Sequence, residues 1–170
     1  TQAELDLAYT QKEWAANMDT ILRRWSEAAT DVRTAHPGYA EHCYGAHPDE
    51  RIDVFPAAGT LVHFHIHGGA WRGQAKEDSV FLAPSMAAAG VTLVLPEFSK
   101  LPGVRMPVLL EQLKRALAWT HQRLIIEGDA TGIVISGHSS GAHLAALLVA
   151  ESRLEKLVPD KVIQAVLCIS

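Results

Sequence analysis

The chain has 170 residues, 48 % of them apolar and 20 % charged, with a net charge of −4. That is ordinary globular composition for one modest domain, and it argues against disordered or fibrous architecture. A weakly acidic chain without a Lys/Arg cluster has no electrostatic reason to hold nucleic acid, and no apolar run reaches the ~18 residues that a membrane span needs.

The first residues, TQAELDLAYT, lack a basic start and an apolar stretch, so no signal peptide is visible, while a start at Thr1 leaves room for earlier processing. Cys43 and Cys168 lie far apart in unlike contexts and read as reduced core thiols of a cytoplasmic protein. Residues 3–16 and 18–34 read as two helices, the second on the spacing of Ile21, Leu22, Trp25 and Ala29. Pro37-Gly38 ends this helical N-terminal segment of residues 1–36, and the sheet core is expected over residues 40–170 of the same domain.

Residues 40–44 and 51–55 read as short strands, expected as an antiparallel edge, and TLVHFHI at 60–66 as a stronger one. A helix is expected at 78–89, a strand at 91–95, a long helix at 107–127, a strand at 131–136, a helix at 141–152 and a strand at 161–169. Val/Ile/Leu strands alternating with helices predict an α/β fold whose mostly parallel sheet is covered on both faces.

Gly137-His138-Ser139-Ser140-Gly141 fits G-x-S-x-G, after a strand and before a helix. A nucleophile on such a strand-to-helix turn sits in a strained conformation, and flanking glycines leave room where a Cβ would collide. The helix behind it aims free N–H groups at a developing oxyanion. Ser139 is the candidate nucleophile, and the N–H of Ser140 a candidate oxyanion donor. His67-Gly68-Gly69-Ala70-Trp71 follows the TLVHFHI strand. Gly69 and Ala70 are expected to offer backbone N–H groups, with Gly68 permitting the bend. His67 is expected to brace this loop, and Trp71 to line or floor an acyl pocket. His138 sits beside the nucleophile as a supporting residue.

HGGAW followed by GHSSGAHLA resembles the α/β-hydrolase superfamily, in the branch with HGGxW typified by kynurenine formamidases (arylformamidases) and related carboxylesterases. LDLAYTQKEW, YGAHPDERIDVF and VRMP are similar to the same branch. The resemblance implies Ser139 as nucleophile, with Gly69, Ala70 and Ser140 as oxyanion donors. The chain departs from it where many relatives carry a Tyr-Arg pair after the fourth strand: here the residues are Glu97-Phe98-Ser99-Lys100.

In this fold the triad acid and histidine follow the nucleophile in that order, after the strand at 161–169. No residue here matches them. His138 and His143 are badly placed on the elbow and its helix, and Asp129 and Asp160 precede strands at the far end of the sheet. The fold therefore reads as truncated after its sixth strand, with the last strand an apolar edge. A second chain or a further C-terminal segment is expected to complete it. A homodimer is a further possibility.

His63, His65 and His67 alternate on one strand and could suggest zinc. The plainer expectation has His63 and His65 packed under a helix with hydrogen-bond partners, and no metal or cofactor. Asp78 reads as a helix N-cap. Trp14, Trp25 and Trp119 read as core or lid contacts, and Glu111, Lys114 and Arg115 as a solvated helix face.

The leading functional expectation is a serine hydrolase acting on a small ester or N-formyl amide. The alternatives are a non-catalytic α/β-hydrolase-like binding protein and a zinc-dependent hydrolase.

Overall fold

A computed structural model describes residues 1–10 and 14–170. In chain order the elements are α1 (Gln2–Ala8), α2 (Met18–Ala35), β1 (Ala40–Cys43), β2 (Arg51–Phe55), β3 (Leu61–Ile66), α3 (Ala83–Ala88), β4 (Thr92–Pro96), α4 (Met106–Thr120), β5 (Gly132–His138), α5 (Ser140–Glu155) and β6 (Ile163–Ile169). A 3-10 segment, Lys76–Leu82, leads into α3, and a π-helical turn, His121–Ile126, extends α4.

The sheet order is β1-β2-β4-β3-β5-β6. β3, β4, β5 and β6 are parallel, while β1 and β2 form the expected antiparallel edge. Alternation on the strands sends side chains to two cores. On one face Val62, Phe64, Ile66 and Val94 meet Leu109, Leu113 and Leu117 of α4 and Leu144 and Leu148 of α5. On the other, Phe55, Leu93 and Leu95 meet Ala29 of α2 and Val80 and Ala83.

The expected first helix is shorter than residues 3–16. It ends at Ala8, residues 14–17 are turns, and residues 11–13 lie outside the described ones. Its Leu5 and Leu7 are exposed, so no tertiary burial supports a longer helix. α2 forms as expected, and Trp25 stacks on Phe81 at 4.6 Å.

Charge contacts stitch α2 to the sheet. Asp53 of β2 is fully buried and accepts from Arg33 Nε at 3.0 Å, Lys76 Nζ at 2.6 Å and Tyr39 Oη at 3.1 Å. Lys114 is not on a solvated face: it is buried beneath Glu111, Glu151 and Glu155, at 2.7–3.0 Å, where α4 meets α5. The cysteines are free but exposed, not core thiols. Trp14 is also exposed.

Candidate active site

β5 and β3 lie side by side and end at the same edge of the sheet, Ile66 opposite Gly137. β5 turns at Ser139, whose φ of 54° and ψ of −120° belong to no ordinary L-residue conformation. The two glycines of the elbow are steric requirements. A Cβ on Gly137 would lie 2.0 Å from the Gly141 carbonyl oxygen, and one on Gly141 would lie 2.2 Å from that of Ile66. The Ser139 N–H is held by Ile169 O at 2.7 Å. Its side chain is exposed, and among the described residues it has no hydrogen-bond partner.

The loop after β3 is strained along its length, with positive φ at Gly69, Ala70, Trp71 and Gln74. Gly69 O accepts from Arg72 N at 3.0 Å and Gly73 N at 2.7 Å, curling the loop back on itself. Among the described residues nothing accepts from the N–H groups of Gly69 and Ala70. The loop presses on the elbow: a Cβ on Gly68 would lie 2.8 Å from His138 O, and Trp71 N donates to Ser140 Oγ at 3.2 Å. Gly69, Ala70, His138 and Ser139 border one cavity of about 650 Å³, whose other wall includes Tyr9, Met18 and Leu22 of the N-terminal segment.

Trp71 does not border that cavity. It packs against the main core and edge-on to His143 at 5.6 Å, from a backbone of positive φ. His143 is otherwise exposed on α5.

His67 is buried. Its Nδ1 meets Gly68 O at 2.9 Å, its Nε2 meets Glu97 Oε1 at 3.1 Å, and its ring stacks on Phe98 at 4.4 Å and 3°. Glu97 also accepts from Lys76 N, Phe98 N and Lys100 Nζ. Burial works to raise the Glu97 pKa, but the hydrogen bond and charge of His67, with Phe98 N–H and Lys100, outweigh it and hold it at about 2. In the sequence Glu97 stands out only as a departure from the Tyr-Arg pair of relatives; the signal for its role is a carboxylate just past the end of a central strand, level with the end of β3.

The strand histidines His63 and His65 have hydrogen-bond partners. His63 Nε2 and His65 Nδ1 share Ser136 Oγ, at 2.6 and 2.7 Å, and His63 Nδ1 lies 3.2 Å from Met86 Sδ. Burial lowers the pKa of His63; burial, then His63, His67 and His138, push that of His65 down to about 3. Among the described residues no three His, Cys, Asp or Glu side chains converge as a metal site.

Asp78 is not the N-cap. It lies in the first turn of the 3-10 segment and accepts from Ala75 N at 2.9 Å, capping from inside. A second Ser/His/Asp grouping is inert: Ser99 Oγ is buried, donates to Asp49 at 2.7 Å and accepts from Gln112.

The BD-FAE family profile matches residues 56–165, from just after β2 into β6. The chain belongs to the BD-FAE family. It is 27 % identical to kynurenine formamidase of Danio rerio over 94 % of this chain and 57 % of that protein. It is 31 % identical to esterase LipQ of Mycobacterium tuberculosis over 81 % of this chain and 32 % of that one. A crystal structure of a candidate thioesterase from Silicibacter sp. TM1040 superposes with a TM-score of 0.79 at 27 % identity, covering 97 % of this chain and 62 % of the other. A bacterial heroin esterase, at 23 % identity and a TM-score of 0.67 over 85 % and 47 %, shares the fold. That fold is the α/β-hydrolase fold, and this BD-FAE chain spans about half the length of the formamidases it matches. Among the described residues no helix is long and apolar enough to cross a membrane.

Proposed function

We propose that this BD-FAE protein is a serine hydrolase that cleaves a small carboxylic ester or an N-formyl amide through an acyl-enzyme on Ser139. The observation that carries the reading is the exposed, strained Ser139 sharing a cavity with Gly69 and Ala70, whose N–H groups have no acceptor among the described residues. Ser139 Oγ attacks the carbonyl carbon. The oxyanion then forms between those amides and the N–H of Ser140, where the first turn of α5 adds its unpaired donors.

Gly68 supplies the close approach between loop and elbow. The kinship with formamidases and esterases supports the choice of acyl substrate, and the facing wall, which mixes Tyr9, Met18 and Leu22 with Thr10 and Asp19, offers both apolar and polar contacts to a leaving group. None of the strand, elbow or α5 histidines is hydrogen-bonded to Ser139, so the base and its acid are read as coming from polypeptide after β6 or from a second chain. The free thiols fit a cytoplasmic setting.

A fluorophosphonate probe tests this in the protein at its natural length. Ser139 is expected to label, and Ser139→Ala to reduce labelling and ester turnover to background. A folded wild-type protein that fails to label refutes the hydrolase reading in favour of a binding protein.

A further inference from the structure

We propose that Glu97 is the positioning residue of the oxyanion loop, gripping both of its ends and holding the His67 ring in the orientation that sets the Gly68–Gly69 peptide. The proposal rests on the reading of Gly69 and Ala70 as oxyanion donors.

Three observations carry it. First, one carboxylate serves both ends of the loop. Oε1 takes the ring of His67, where β3 ends, and Oε2 takes the N–H of Lys76, where the loop enters the 3-10 segment. Between these anchors lie four positive-φ residues, three of them not glycine. Such conformations persist only when the surroundings over-determine them. Leu101 N, bonded to Trp71 O at 2.8 Å, adds a third tie from the segment that follows Glu97.

Second, the His67 ring is pinned on both sides, by the Gly68 carbonyl at Nδ1 and the Glu97 carboxylate at Nε2, and Phe98 lies flat against its face. Other groups near the pair are Lys100, which shares Glu97, Tyr44, whose hydroxyl donates to the Glu97 carbonyl, and His65.

Third, the peptide group is planar and trans, so the Gly68 C=O and the Gly69 N–H point in opposite directions. With the carbonyl fixed on the His67 side, the Gly69 N–H is turned away from that buried ring. Gly69 itself borders the cavity that holds Ser139. The chain Glu97, His67, Gly68 O thus fixes the direction of one oxyanion donor without touching substrate.

The test compares Glu97→Gln and Glu97→Asp with wild type, by the amide nitrogen-15 signals of Gly68 and Gly69 and by steady-state kinetics on an aryl ester. Glu97→Gln is expected to shift the Gly69 amide signal. In Glu97→Gln kcat falls about 10- to 100-fold, the range set by a misplaced oxyanion donor, with KM within about threefold. Glu97→Asp restores the wild-type amide signal and part of kcat. A merely structural role would lower the amount of folded protein without this split between kcat and KM.

Unshifted Gly68 and Gly69 amide signals in Glu97→Gln overturn the proposal, as does a Glu97→Gln protein with wild-type kcat. If wild type neither labels with fluorophosphonate nor turns over ester, the hydrolase reading fails on its own. The amide spectrum then still decides whether Glu97 grips the loop.

Discussion

The two segments that meet at Ser139 share tight backbone sterics but differ in what else holds them. The elbow at 137–141 is held by backbone sterics: its glycines face carbonyl oxygens at 2.0–2.2 Å from where a Cβ would sit. The loop at 67–76 is also tight at Gly69, where a Cβ would lie 2.3 Å from Gly73 O, but side chains from other elements add to its hold, Glu97 after β4 and Ser140 on α5. Sterics leave nothing to titrate, whereas a side-chain clamp responds to charge and pH. The elbow is therefore the rigid half of the candidate site, and the 67–76 loop the half that a side-chain substitution can loosen.

The largest effect is expected from breaking the elbow. Gly137→Ala forces a methyl into a backbone carbonyl with no flexible side chain to yield, and should cost about 4 kcal/mol or more in chemical denaturation.

Next comes the clamp. Glu97 carries an ordinary value of 4.5 and is held at about 2 in the fold. A depressed folded-state pKa contributes stability that is full above about pH 4.5 and is lost as pH falls toward 2. By the usual ~1.4 kcal/mol per unit, that contribution is about 3 kcal/mol. Urea titrations across this window should show the loss in wild type and a flatter profile in Glu97→Gln.

Ser140→Ala leaves Trp71 N–H without its acceptor, and should lower stability by about 1–2 kcal/mol while slowing ester turnover. The smallest change is Phe98→Leu, which keeps an apolar side chain but removes the stacked ring. It should cost about 0.5–1 kcal/mol beyond the packing change, seen as a small downward shift in midpoint. If Gly137→Ala proves mild while Ser140→Ala unfolds the protein, the contrast between the two segments is wrong.

The same contrast governs what could be read in advance. G-x-S-x-G after a strand was legible because its steric rule acts within five residues. The parallel strands were legible because Val, Ile and Leu runs at this spacing have few other ways to be buried. α1 was overextended because apolar spacing promised a partner that Leu5 and Leu7 do not find. Lys114 was placed in solvent because its three carboxylates include two from α5, about 40 positions along the chain. Asp78 was given the right kind of task at the wrong position, since a carboxylate can cap from the first turn as well as from the cap itself.

By itself, then, the amino-acid order determined the layered α/β architecture, the antiparallel edge, the strained turn at Ser139 and the glycine-rich loop beside it. Each follows from periodicity or from collisions between near neighbours. Only the tertiary structure decided that His67 would answer to Glu97, that His63 and His65 would share Ser136, and that Asp53 would bind Arg33 and Lys76. Those pairings join residues 20 to 73 positions apart. Their energy comes from shared burial, which exists only after the sheet has brought the strands together.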